Sequence, residues 1–173
     1  MTVTWTEAPL GKMHDRKGFD CGEPALNGYL HKFARQNHDS GGAKTFVAVA
    51  TADPIPIPIL GYYALSPASI DYSRTPDVVR RGLGRYEVPV FRLGRLAVAL
   101  SVQGKGLGGG LLLAAGRRCL SVAAEVGGVA LMIDAKSDRA ADWYEGYGAV
   151  RLADAPLTLL LPLKTIAAAL NTP

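Results

Sequence analysis

Cysteine, histidine and long apolar runs are all scarce in this chain. Its 173 residues include two cysteines and three histidines. Cys21 and Cys119 are not spaced as metal ligands, so no metal is expected. His14, His31 and His38 all lie in the N-terminal segment and read as surface or packing residues. No apolar stretch reaches the length that crosses a bilayer. The N-terminus also lacks a basic region followed by an apolar run and a cleavage site. A cytoplasmic protein with reduced thiols and no membrane association is the expectation. Neither an internal repeat nor a linker interrupts the chain, so residues 1–173 read as a single domain large enough to bury a core.

Charge is modest but unevenly placed. Arg74, Arg80, Arg81, Arg85, Arg92 and Arg95 face only Asp77 and Glu87 within their span, which holds the whole of the chain's net +4. Guanidinium groups match phosphate geometry, and such a concentration marks either a polyanion-binding surface or an ordinary solvated one.

The most informative stretch is 95–113, where a strand-type run, Leu96 to Leu100, meets a glycine-rich turn and then helical apolar spacing. Closely spaced glycines let successive N–H groups converge, and a helix N-terminus adds unpartnered donors and its dipole; together they hold anions. A Walker loop is excluded, because Lys105 is followed by Gly106 rather than by a hydroxyl for Mg²⁺. Gly104, Gly106 and Gly109 also satisfy the dinucleotide pattern Gly-x-Gly-x-x-Gly, although this loop sits past mid-chain.

Around this stretch the chain reads as a mixed fold. Val3 to Trp5 is expected to be a first strand. A helix capped by Asp20 or Gly22 and started by Pro24 is expected to run to Gly41-Gly42, with Ala25, Leu26, Tyr29, Leu30, Phe33 and Ala34 on its core face. Thr45 to Ala50 and Ile59 to Ser66 pair as a hairpin around the proline-rich turn Asp53 to Pro58. Val88 to Leu100 is a strand bent at Gly94. A helix follows with Leu112, Ala115, Cys119, Val122 and Val126 inward, then a buried parallel strand, Val129 to Ile133. A short helix from Ser137 or Asp138 through Tyr144, strands at Gly148 to Leu152 and Leu157 to Leu163, and a closing helix at Lys164 to Leu170 complete an α/β (α+β) class.

Within the central stretch, Gln103, Gly106 and Gly108 form Gln-x-x-Gly-x-Gly, which resembles the acetyl-CoA pyrophosphate loop of the GCN5-related N-acetyltransferases (GNAT). A second segment, Arg139 to Gly148, resembles that family's Ala-x-x-Phe-Tyr-x-x-x-Gly-Phe, with Trp143 in the Phe place, Tyr144 in the Tyr place and Ala149 replacing the final phenylalanine. The resemblance implies a mixed, mostly antiparallel sheet with a splayed central strand, flanked by helices. It implies that the main chain at Leu96, Ala97 and Val98 holds the pantetheine arm of acetyl-CoA, that Gln103, Gly104, Lys105, Gly106, Leu107, Gly108 and Gly109 surround the pyrophosphate, and that Trp143 borders the cofactor. It makes Tyr144 the acid that protonates the departing thiolate; Tyr147, on the same side of the helix, is the other candidate. A phenol with a reference pKa of about 10 holds its proton at neutral pH, as that task requires.

Phe19-Asp20-Cys21-Gly22, Gly61-Tyr62-Tyr63-Ala64-Leu65-Ser66, Arg95-Leu96-Ala97-Val98 and Pro162-Leu163-Lys164-Thr165 extend the match over nearly the whole chain. Together they resemble the acetyltransferase toxins of bacterial type II toxin-antitoxin systems. That resemblance implies acetylation of the α-amino group of aminoacyl-tRNA, a block of translation, a homodimer and a ribbon-helix-helix antitoxin. Arg80, Arg81, Arg85 and Arg92, with Lys32 and Arg35, then become the expected tRNA-binding residues. An α-amino group with a reference pKa of about 7.7–8.0 is substantially neutral at physiological pH, which agrees with the lack of an evident general base. An acetyltransferase of the same fold acting on a small amine or a protein N-terminus accounts for the loop and Tyr144 equally well, without giving the arginines a role.

Overall fold

A computed structural model describes residues 3–52 and 54–171. The elements are β1 (Thr6–Pro9), β2 (His14–Asp15), α1 (Pro24–Lys32), α2 (Ala34–Ser40), β3 (Lys44–Val49), β4 (Ile57–Pro58) and β5 (Gly61–Ile70). Then come α3 (Asp77–Arg80), β6 (Val88–Val98), α4 (Leu107–Val126), β7 (Ala130–Asp134) and α5 (Asp138–Glu145). β8 (Val150–Arg151), β9 (Thr158–Pro162) and α6 (Leu163–Leu170) close the chain. Two compact units emerge, 1–66 with 95–112 and 67–94 with 113–173, so β5, β6 and α4 each run from one into the other.

In the first unit the sheet order is β1-β3-β5-β6. β3 pairs antiparallel with β1 (Thr6↔Val49) and with β5 (Phe46↔Tyr63), and Thr45 to Val49 is buried throughout rather than on alternate residues, so both of its faces are covered. Leu30, Ala34, Val47, Tyr62 and Ala97 belong to one core. The Tyr62 ring meets Phe19 edge-on at 5.5 Å and its hydroxyl donates to Leu26 O at 2.6 Å, so a fully buried tyrosine leaves no polar atom unpaired. Gly61 is dictated by crowding. A Cβ there would lie 2.8 Å from Leu111 Cδ1 and 2.9 Å from Ala97 O.

In the second unit the order is β5-β6-β7-β9-β8. β6 and β7 are parallel over Phe91↔Leu131 to Leu93↔Ile133, whereas β7–β9 and β8–β9 are antiparallel. A mixed, mostly antiparallel sheet with flanking helices is therefore the observed class, as expected. Only three of the eleven residues of β6 pair with β7, and that pairing stops at Leu93. The irregularity in β6 lies upstream of the expected bend at Gly94: burial alternates at Val88 and Val90, then slips by one to Leu93.

Several boundaries differ from the sequence reading. The first strand is Thr6–Pro9, not Val3 to Trp5, because pairing with β3 selects it. The first helix is broken at Phe33 (φ −118°), so that Phe33 is 55% exposed instead of facing the core. Asp20 does not cap α1; its Oδ1 accepts from Gly22 N and Asn27 Nδ2 and shapes the turn before it. Val122 and Val126 are exposed beyond the buried stretch of α4. β8 is only two residues long, and Asp53 of the proline-rich turn lies outside the described residues.

Candidate acetyl-CoA and acceptor site

The anion-binding loop is built as its composition requires. After β6, a 3-10 turn at Leu100–Val102 leads into Gly104 (φ +78°) and Gly106 (φ +85°), both left-handed. Only glycine adopts that conformation without strain, and neither position has any atom within 4 Å of where a Cβ would be. The glycines are thus demanded by backbone direction, not by crowding. The first helical hydrogen bond of α4 runs from Gly110 N to Gly106 O (3.2 Å), so the N–H groups of residues 107–109 precede the intrahelical ladder. Lys105 is exposed beside them, while Leu107 turns its side chain into the core at 2% exposure and can serve a ligand only through its main chain. This donor set fits a pyrophosphate.

Gln103 has a different place from its neighbours. Its Nε2 donates to Cys21 O (3.0 Å) and to Val98 O (2.9 Å), tying the turn before α1 to the end of β6. The side chain braces the loop from behind. Gly110 is a packing glycine, since a Cβ would lie 2.9 Å from Cζ2 of Trp5. Leu96 and Val98 are half-buried and Ala97 is 5% exposed, with Ala99 N donating to Leu60 O at 2.8 Å just beyond them.

Trp143 and Tyr144 sit in the second unit on α5. Ser137 caps this helix by accepting from Ala140 N at 3.1 Å. Asp138, Asp142 and Glu145 share its outer face, and Arg151 of β8 pairs with all three at 2.9, 2.6 and 2.9 Å. An adjacent face buries Ala141 and Tyr144, while Arg151 ties the exposed carboxylates of the helix to β8. Tyr144 is 7% exposed and burial pushes its phenol above the ordinary tyrosine range. Its hydroxyl has no hydrogen-bond partner among the described residues, unlike that of Tyr62. A protonated, inward phenol with its proton uncommitted is what a general acid requires. Tyr147 is 39% exposed and leans on Trp143 at 4.9 Å, which separates it from the buried candidate. Trp143 is 38% exposed and also meets Tyr144 edge-on at 4.9 Å.

The arginines fall into two groups. Arg74 pairs with Asp154 (2.6 Å), Arg80 with Asp77 (2.7 Å) and Arg92 with Asp134 (2.7 Å). Arg95 lies over the Tyr29 ring at 3.8 Å. Arg81 and Arg85 are exposed and carry no ion pair among the described residues. In the first unit Lys32 is likewise exposed and unpaired, whereas Arg35 bonds Asp39 at 3.0 Å. Tyr86, which directly follows Arg85 and which the sequence did not single out, is 82% exposed.

The histidines are packing groups, as expected. His14 Nδ1 accepts from Gly11 N, His38 Nδ1 accepts from Thr45 N, and His31 Nε2 bonds Phe19 O at 2.9 Å. Cys119 is buried and its thiol is pushed up to about 12 by burial, which makes it inert as a nucleophile. Among the described residues no cluster of three His, Cys, Asp or Glu side chains could hold a metal, and no helix is long and apolar enough to cross a membrane.

No family model matches the chain. A tRNA-acetylating toxin of Mycobacterium tuberculosis (strain ATCC 25618 / H37Rv) is 37% identical over 150 residues, covering 87% of each chain. This chain belongs to the GNAT-fold acetyltransferase toxins. Solved structures of the family agree. AtaT complexed with acetyl-methionyl-tRNAfMet superposes with a TM-score of 0.88 at 26% identity, covering 97% of this chain and 100% of that one. A tyrosine-to-phenylalanine mutant of AtaT, bound to the C-terminus of the antitoxin AtaR and acetyl-CoA, superposes with a TM-score of 0.82 at 26% identity, covering 97% and 99%.

Proposed function

We propose that this toxin moves the acetyl group of acetyl-CoA onto the α-amino nitrogen of aminoacyl-tRNA, blocking translation. Residues 1–173 act as one catalytic domain, since β5, β6 and α4 are shared by both units. The main chain at Leu96, Ala97 and Val98 engages the pantetheine arm as an added strand would. Gly104 to Gly109 hold the pyrophosphate, braced from behind by Gln103, with Lys105 adding charge and Trp143 bordering the cofactor. Acetyl-CoA supplies an activated thioester. The neutral amine attacks its carbonyl carbon, so a C–N bond forms and the C–S bond breaks. Tyr144 gives its phenolic proton to the departing sulfur, and the proton shed by the amine returns to Tyr144 through water. Burial keeps the phenol protonated at neutral pH, so the proton is in place when the thiolate departs.

The observation that carries this reading is Tyr144: a buried ring whose hydroxyl has no hydrogen-bond partner among the described residues, on a helix whose three carboxylates pair with Arg151. Arg81 and Arg85 in one unit, and Lys32 in the other, are cations with no ion pair among the described residues that the acceptor RNA can use, and Arg35, Arg80 and Arg92 can exchange their carboxylates for phosphate. The comparisons with AtaT support an antitoxin as partner. We further assign a ribbon-helix-helix antitoxin, a homodimer and a cytoplasmic setting, on the resemblance over the whole chain. The test is Tyr144→Phe, which keeps the ring and removes the proton. It should lower kcat with charged tRNA by about 10²-fold or more while leaving acetyl-CoA affinity unchanged. An unchanged kcat would remove Tyr144 from the chemistry.

A further inference from the structure

Tyr86 is the most exposed large apolar side chain among the described residues, at 82%. A lone exposed apolar side chain is ordinary on a protein surface. This one is not alone. It follows Arg85, stands five residues from Arg81, and both arginines are exposed with no carboxylate partner among the described residues, while the other four arginines of the same run are each engaged.

The loop that carries them is held at both ends. Leu83 N donates to Arg80 O at 3.0 Å, and the Leu83 side chain packs against the core that contains Val79 and Val88. Tyr86 N donates to Gly84 O at 2.9 Å, and a Cβ at Gly84 would lie 3.2 Å from Cδ2 of Tyr86, so the ring leans on the space that glycine leaves. Glu87, the one acidic residue of the loop, is hydrogen-bonded to Ser69 Oγ. The ring and two cations are thereby presented from a braced base, which lowers the ordering cost of binding.

We propose that Tyr86 is a base-stacking contact for an unpaired nucleotide of the acceptor RNA, with Arg81 and Arg85 holding the flanking phosphates; this rests on the RNA acceptor proposed above. An exposed aromatic face on the same short loop as two exposed cations is a surface that single-stranded RNA fits, since every base has a π-face and every linkage a charge. A duplex presents phosphates to the arginines but no free base to the ring.

The experiment compares wild type, Tyr86→Ala, Tyr86→Trp and Arg85→Ala in acetyl transfer to charged tRNA and in tRNA binding across a salt series. Tyr86→Ala should raise the KM for charged tRNA about tenfold, with kcat and the salt slope unchanged. Tyr86→Trp should restore the wild-type KM, and Arg85→Ala should flatten the salt slope. A single-stranded RNA oligonucleotide should compete well against wild type and poorly against Tyr86→Ala, while a duplex of equal length competes alike against both. If wild type binds tRNA and Tyr86→Ala matches it in KM and competition, this assignment is overturned alone. Should wild type bind no tRNA, the acceptor falls and this assignment with it. Loss of antitoxin binding in Tyr86→Ala, with tRNA binding intact, would give the loop to the protein partner and also overturn it.

Discussion

Replacing Gly106 by alanine separates the anion-binding loop from the packing that surrounds it. Gly106 sits at φ +85° with open space where a Cβ would go, so the substitution meets no neighbour and its cost is conformational. A left-handed L-residue costs about 1–2 kcal/mol. Because 104–106 is exposed, the loop relaxes rather than holding the strained shape, and the cost appears on ligand binding. The Kd for acetyl-CoA should rise about 5- to 30-fold, with little change in thermal midpoint. Gly110→Ala is the control. Its Cβ would stand 2.9 Å from the Trp5 ring, so the helix or the indole must move, at about 1–3 kcal/mol of folding stability. Titration calorimetry with acetyl-CoA and a urea melt read the two quantities. If Gly106→Ala bound acetyl-CoA like wild type, the loop would not be the pyrophosphate site.

Three other outcomes follow from the same structure. Gln103→Leu removes the donor shared by Cys21 O and Val98 O, and should lower unfolding stability by about 1–3 kcal/mol while raising the KM for acetyl-CoA; denaturant midpoints and initial rates read both. Arg81→Ala and Arg85→Ala should each reduce the salt slope of tRNA binding by about 1, and Arg92→Ala by less because Asp134 already neutralises it, which binding isotherms over a salt series will show. Burial holds His14 and His38 below the ordinary histidine range, so the unfolded chain takes up protons first, near pH about 6.5. Stability should be full above that pH and fall as pH drops through the lowered native values, and His38→Gln should shrink the fall in thermal midpoint.

What the sequence made legible was local. The glycines of 104–108 specify their own backbone, Ser137 caps its own helix, and the apolar run of β7 reflects burial on both faces. Elements whose form depends on distant partners were less legible. β1 is chosen by register with β3, and nothing between Tyr29 and Asn37 announces the break at Phe33. The arginine run illustrates the limit best: Arg74 meets Asp154 across 80 residues and Arg92 meets Asp134 across 42, so only the fold tells paired guanidiniums from free ones. The exposed ring of Tyr86 was hidden for the same reason.

The most direct measurement is transfer of labelled acetyl from acetyl-CoA into charged and deacylated total tRNA, followed by identification of the modified atom. Label confined to the charged pool and recovered as N-acetyl-aminoacyl ester is the expected result, because only the charged pool presents a neutral α-amine to the thioester. Label in neither pool, with acetyl transferred instead to free small amines, would contradict the account.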